Sequence, residues 1–195
     1  MSVLAHIFER ISNENRQINR KVIEAVLVLA VEIAREGREG RKIGTMLVVG
    51  DVPVVLRQSK ALILDPLAGH ADSLKRIADY DARETIKELA QLDGAFVVSE
   101  DGVVVSACRY INASAEGIKL PLGLGARHVA AASITRSTNA IAVVVSASSI
   151  VRVFDNGEMI SEIIPELWML RHHSLHHPPP VTPRSTGKAV TVVEE

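Results

Sequence analysis

The sequence predicts an α/β fold, a mixed central β-sheet flanked by helices, and three observations predict it. Apolar residues recur at helical spacing near the N-terminus. Farther along, apolar runs rich in Val and Ile at 43–49, 95–98, 103–105 and 141–145 are too short for helices and read as strands. Two turns between extended segments carry hairpin dipeptides, Asp101-Gly102 and Asn156-Gly157.

Residues 2–36 are helical in two pieces. Leu4, Ile7, Phe8 and Ile11 share one face of the first, and Ile23, Val26, Leu27, Ala30 and Ile33 or Ala34 one face of the second. Gly37 and Gly40, among basic residues, end the second helix and release the chain into the buried strand Ile43-Gly44-Thr45-Met46-Leu47-Val48-Val49. Gly50-Asp51 turns the chain; Pro53–Arg57 and Ala61–Leu64 read as short extended segments at a sheet edge. Helices are expected over His70–Ala78 and Asp81–Leu92, the second with Ile86, Leu89 and Ala90 on one face. From Asp93 the period becomes extended, and strands 95–98 and 103–105 flank the turn Ser99–Gly102. A loop over Ala113–Pro121, a short helix over Arg127–Thr135 and a buried strand over Ile141–Val145 follow. Val151–Phe154 and Glu158–Ile163 pair across Asp155-Asn156-Gly157, and a helix starts at about Pro165. The expected organisation is an N-terminal helical segment (1–20), one domain (21–175) and a flexible His/Pro-rich tail (176–195).

Bulk properties limit the function. A chain of 195 residues, 47% hydrophobic and 23% charged, can bury one substantial core. Its 22 basic and 23 acidic residues nearly cancel, so no net field draws nucleic acid or an anionic membrane, and any phosphate must be held locally. Three Phe, two Tyr and one Trp offer no ladder for stacking single strands. Cys108 is the one cysteine, which excludes an internal disulfide and a cysteine metal cluster. The apolar run Val22–Ile33 is too short to span a bilayer and carries Glu24 and Glu32. The expectation is a cytoplasmic protein with neither nucleic acid nor membrane as a partner.

The chemistry concentrates in two stretches. Gly123-Leu124-Gly125-Ala126-Arg127-His128 leads from a loop into a helix N-terminus, where unpaired amides and the helix dipole favour an anion and Arg127 and His128 add donors. Asp93-Gly94-Ala95, at a strand start, offers a carboxylate that can hold a divalent metal on a phosphate or accept a proton. Each has a plainer reading: Asp93 as a cap, Arg127 as the partner of a surface acid, His128 as a satisfied helix histidine. The sequence lacks GxxxxGK[ST], HExxH and GxSxG, and Gly123-x-Gly125 lacks the preceding strand and third glycine of a dinucleotide fingerprint. The tail histidines His172, His173, His176 and His177 have no fixed geometry for a metal. It is the combination of the two stretches with a strand ending in Val144-Val145-Ser146 that points to a site.

In this order, Asp93-Gly94-Ala95, Ala107-Cys108-Arg109-Tyr110-Ile111, Gly125-Ala126-Arg127-His128-Val129-Ala130-Ala131 and Val144-Val145-Ser146 resemble the diadenylate cyclase domain, also found at the N-terminus of DNA-integrity scanning proteins. The resemblance runs from about Val22 to Ile163, takes 43–49 as the family's first core strand, and is greatest to the compact archaeal form. It implies a cyclase that joins two ATP into cyclic di-AMP with release of two pyrophosphates, using Mn²⁺ or Mg²⁺. By position it implies that Asp93 binds the metal and helps activate the ribose 3′-hydroxyl, with Arg127 and His128 as its catalytic companions. Gly94 and Ala95 would give backbone access, and Tyr110 and Ile111 would pack on adenine. Leu124, Gly125, Ala126, Arg127 and His128 would cradle the triphosphate, and Ser146 would reach it from the next strand. Because each 3′-hydroxyl must attack the other nucleotide, a homodimer or larger homo-oligomer is implied.

The chain departs from the family pattern Gly-Thr-Arg-His-Arg at Ala126 and Val129, and from a Ser-Glu-Glu ending at Ala147 and Ser148. Arg109, Arg136 or Arg152 are candidates to replace the missing cation. Two alternatives stay open: a catalytically decayed sensor of ATP or cyclic di-AMP, and an assembly module that binds no nucleotide.

Overall fold

The computed structural model describes residues 3–11, 16–62, 64–114 and 116–173. Among these, β1 (Thr45–Val49), β2 (Ser59–Ala61), β3 (Ala95–Val98), β4 (Val104–Ile111), β5 (Ile141–Val145), β6 (Val151–Asp155) and β7 (Glu158–Ile163) form one sheet in the order β2-β4-β3-β1-β5-β6-β7. Only β1 and β3 run parallel; every other pair is antiparallel, so the sheet is mixed as expected. The helices are α1 (Val3–Ile11), α2 (Arg20–Glu36), α3 (Val52–Arg57), α4 (Tyr80–Leu89), α5 (Ala126–Ser137) and α6 (Pro165–His173).

The continuous apolar runs arise because the sheet is covered on both faces. Leu47, Val49, Phe96, Val98, Ile141, Val143 and Val145 join one cluster with Leu27 and Ala30 of α2, Ile7 and Phe8 of α1 and Trp168 of α6. Their neighbours in the alternation, Met46, Val48, Ala95, Val97, Ala142 and Val144, join a second cluster with Ala131 and Ile134 of α5. Burying a Val or Leu contributes about 1.5–3 kcal/mol, so these two layers dominate the fold's stability. Between α2 and α4, Lys87 is buried with Glu84 (2.6 Å), Glu36 (3.1 Å) and Glu32 (3.8 Å). Burial alone would depress its pKa, but the Glu84 and Glu36 bonds prevail and raise it.

Local signals place most boundaries. Asn19 caps α2 by accepting from the Lys21 amide (2.9 Å), and Asp79 caps α4 by accepting from the Ala82 amide (3.1 Å). Both hairpins turn through left-handed residues, Gly102 (φ 88°) in one and Asn156 (φ 48°) with Gly157 (φ 81°) in the other.

Four expectations change. Pro53–Arg57 lies in α3, because Asp51 turns the chain left-handed (φ 47°) and Pro53 suits a first helical turn that β-branched Val had masked. Among the described residues of Ala61–Leu64, only Ala61 belongs to a strand, edge strand β2. His70–Ala78 holds no α-helix beyond a 3₁₀ turn at Asp72–Leu74, since its backbone pairs outward: Ile77 N–H donates to Gly102 O (2.8 Å) and the Lys75 carbonyl accepts from Val104 N–H (2.8 Å). The second strand of the first hairpin runs on to Ile111 through a bulge at Cys108 (φ 52°). The tail expected from residue 176 lies outside the described residues.

Candidate active site

Every residue singled out for the site lines one cleft of about 550 Å³ at one end of the sheet: Asp93, Gly94, Ala95, Tyr110, Ile111, Leu124, Gly125, Ala126, Arg127, His128 and Ser146. The topology explains the convergence. Asp93 precedes β3, Tyr110 and Ile111 end β4, Ser146 follows β5, and the loop before α5 closes over them. Met46, Ala95, Ile111 and Val144 face α5 and give the cleft an apolar floor, while Tyr110, 49% exposed, stands at the mouth under Lys60 Nζ (5.3 Å from the ring centre). Such a floor suits a flat aromatic base.

The polar side is built from few groups. Asp93 Oδ1 accepts from Arg127 Nη2 (2.8 Å) and from the Gly94 amide (3.0 Å); the side chains are 78% and 43% exposed. An exposed pair of this kind contributes at most about 1 kcal/mol to stability, so it opens readily to a ligand. Gly125 is the N-cap of α5 without any side-chain cap; the His128 amide donates to Gly125 O (3.0 Å), and the Ala126 and Arg127 amides, without a partner among the described residues, are left to be satisfied from the cleft. His128 is 7% exposed, and its Nε2 lies 3.3 Å from Arg152 Nη1. Burial, then the Arg152 charge, lower its pKa below the ordinary value of 6.5; the Gly125 backbone offsets this in part and Arg127 adds to it. The imidazole is therefore neutral at pH 7. Ser146 Oγ pairs with Ser148 Oγ (2.6 Å) and accepts from the Ile150 amide (3.3 Å).

The glycines separate by cause. A Cβ on Gly94 would come within 2.7 Å of the Cys108 carbonyl carbon and 2.8 Å of the Arg109 nitrogen, and its φ of 104° is left-handed. Gly94 is demanded by the β3–β4 contact. At Gly125 a Cβ meets nothing within 4 Å, so the protein itself does not require glycine there.

Sequence reasoning missed Gly44, whose missing side chain lets Arg127 lie across β1: a Cβ there would sit 3.2 Å from Arg127 Nη1. Of the three arginines named as replacements, Arg109 lines the cleft but donates to Leu56 O (3.1 Å), Ser59 O (2.9 Å) and Ser59 Oγ (3.2 Å). Arg136 lies elsewhere, with Nη1 on Glu116 O (3.4 Å). Of the three, Arg152 is the one that combines a place in the cleft with a side-chain contact to the side chain of a predicted site residue. Cys108 is buried beneath the site; burial, then Asp65 and Asp93, raise its pKa, so its thiol is no nucleophile.

A family model described as DAC, DisA bacterial checkpoint controller nucleotide-binding, matches residues 32–159. The chain belongs to this family. The match holds all the residues assigned to the DAC site by sequence. Two archaeal relatives, each named diadenylate cyclase, are similar to this DAC chain. The relative from Methanocaldococcus jannaschii is 47% identical over 163 residues, covering 83% of this chain and 50% of that protein. The relative from Haloferax volcanii is 42% identical over 155 residues, covering 79% of this chain and 56% of that protein. The chain thus spans about half the length of the curated relatives it matches. Among solved structures, a double mutant of DacA from Staphylococcus aureus has the same fold, with a TM-score of 0.53 at 21% identity over 78% of this chain and 95% of that one. No helix among the described residues is long and apolar enough to cross a membrane.

Proposed function

We propose that this chain is a diadenylate cyclase, condensing two ATP into cyclic di-AMP and two pyrophosphates. The observation that carries the reading is the convergence of Asp93, the uncapped N-terminus of α5 with Arg127 and His128, and an apolar floor in one cleft. The archaeal relatives' names support it. Retention of Asp93, Arg127 and His128 together favours turnover over a sensor that only binds.

Adenine lies on the apolar floor by the mouth residue Tyr110, and the triphosphate lies against the Gly125–His128 amides with Arg127. Each 3′-hydroxyl oxygen attacks the α-phosphorus of the other nucleotide. A new P–O bond forms, the bond from the α-phosphorus to the bridging oxygen breaks, and pyrophosphate leaves with the electron pair while the hydroxyl proton passes by way of Asp93 to solvent. Two such steps close the ring, so two sites must face each other, and the working unit is a homodimer or larger homo-oligomer.

No group of three or more His, Cys, Asp or Glu able to hold a metal exists among the described residues. The fit to Mn²⁺ or Mg²⁺ is therefore of one kind: Asp93 Oδ2, which makes no hydrogen bond among the described residues, supplies one ligand and substrate phosphates supply others. When bound, the ion lowers the pKa of a coordinated hydroxyl and neutralises phosphate charge.

Mass spectrometry of products after incubation with ATP, separately with Mn²⁺ and Mg²⁺, tests the reading. Cyclic di-AMP is the expected product, with specific activity that falls on dilution into the monomeric range. ATP bound without product in either metal would return the chain to the sensor reading.

A further inference from the structure

A nucleoside triphosphate brings several negative charges into a cleft lined by three guanidinium groups. Each has a protein partner: Arg109 bonds carbonyls and a hydroxyl of the α3–β2 segment, Arg127 bonds Asp93, and Arg152 bonds Glu162. The first turn of α5 adds no second cation, since Ala126, Val129 and Ala130 surround Arg127 and His128. Arg152 is placed differently. It enters from β6, inside the sheet, and its side chain is only 11% exposed. Nε donates to Oε2 of Glu162 (2.8 Å), its directly paired residue on β7, and Nη1 approaches His128 Nε2 (3.3 Å). Nη2 makes no hydrogen bond among the described residues.

Building on the ATP-site reading, we propose that Arg152 is a phosphate-binding residue of the nucleotide site that also fixes the tautomer of His128. A guanidinium has donors only, so Nε2 must accept, and the neutral imidazole carries its proton on Nδ1. That Nδ1 is buried and makes no hydrogen bond of ordinary geometry with the protein. The Gly125 backbone, which partly offsets the fall in the imidazole's pKa, is too poorly placed to satisfy a buried N–H in full, and a phosphate oxygen completes it. Arg152 thus gives the phosphates two donors, its own Nη2 and, through His128, an imidazole N–H. Glu162 aims the guanidinium by holding Nε, and because Arg152 and Glu162 are cross-strand partners the sheet sets this geometry.

Ligand binding by the full chain tests the proposal, read by calorimetry with ATP and, separately, with adenosine, which has base and ribose but no phosphate. Arg152→Gln is expected to weaken ATP at least about tenfold and leave adenosine within about twofold. Equal weakening of both ligands would assign Arg152 a structural role only, and an unchanged ATP affinity would deny it a phosphate; either overturns the proposal. Should Arg152→Gln not fold, the wild type decides by nuclear magnetic resonance. The Arg152 Nε–H and His128 imidazole nitrogen signals move on adding ATP and stay with adenosine if the assignment holds; signals that ignore ATP refute it. A wild type that binds no ATP overturns the site reading and this proposal together, whereas a defect-free Arg152→Gln in an ATP-binding chain overturns this proposal alone.

Discussion

The two ends of the sheet are built on opposite plans. At the end away from the cleft, loops are tied to one another: Asp51 N–H donates to Glu100 Oε1 (2.7 Å), Asn139 N–H to Asp51 Oδ2 (2.9 Å), and Asn19 N–H to Glu100 O (3.2 Å). Arg16 completes this closure, with Nε on Asn139 O (2.8 Å) and a buried ion pair to Asp155. At the cleft end the cross-links are few and partly exposed, Arg127 to Asp93 and Arg152 to Glu162, while the Ala126 and Arg127 amides have no partner among the described residues and the buried His128 Nδ1 is left without a well-formed hydrogen bond there. One end satisfies its polar groups internally and holds the fold; the other leaves them for a ligand.

Substitutions at the two ends should therefore divide activity from stability. The largest effect is expected from Asp93→Ala, which should lower the rate of product formation by about 10³-fold or more with a melting temperature close to that of the wild type, as checked by product assay and calorimetry on the same sample. Next is Asp155→Ala at the closed end. Leaving Arg16 buried without its partner should destabilise by about 3 kcal/mol in denaturant melts, with activity per folded molecule unchanged.

The two glycines sharpen the contrast further. Gly94→Ala should lower stability by more than about 1 kcal/mol, because its Cβ meets β4 backbone, whereas Gly125→Ala should leave stability nearly untouched and weaken ATP. The smallest effect is on acid sensitivity. The folded pKa of His128 lies below the unfolded value of 6.5, so the unfolded chain binds the extra proton between the two. Stability from this group is complete above 6.5 and falls as the pH drops from 6.5 toward the folded pKa. His128→Gln should flatten that part of the pH–stability curve; a curve of unchanged slope would contradict the assignment.

What the sequence revealed follows the range of the interactions. The strands 45–49, 95–98 and 141–145 were legible because their signals are local, an apolar run flanked by Gly, Asn or Ser, and the hairpins because Asp101-Gly102 and Asn156-Gly157 favour a left-handed turn. The loop into α5 was legible for the same reason. Val54 and Val55 looked extended, yet the left-handed Asp51 and Pro53 set a helix that packs Val55 into the core. Residues 70–78 make their hydrogen bonds to the start of β4, a contact that no local pattern announces. Likewise Gly44 comes under Arg127, and Arg152 reaches the cleft, only because β1 pairs β5 and β5 pairs β6. Arg152 stood out in the sequence only as one of three spare arginines.

The most direct test of the contrast between the ends is hydrogen–deuterium exchange of the full chain with and without ATP and Mn²⁺. Protection is expected to be confined to 93–95, 125–129 and 146–152, absent at 50–51, 99–102 and 155–157, and much reduced in Asp93→Ala, which removes the carboxylate proposed to hold the ion. Protection centred on the closed end, or none at 125–129 in a chain that binds ATP, would contradict that contrast.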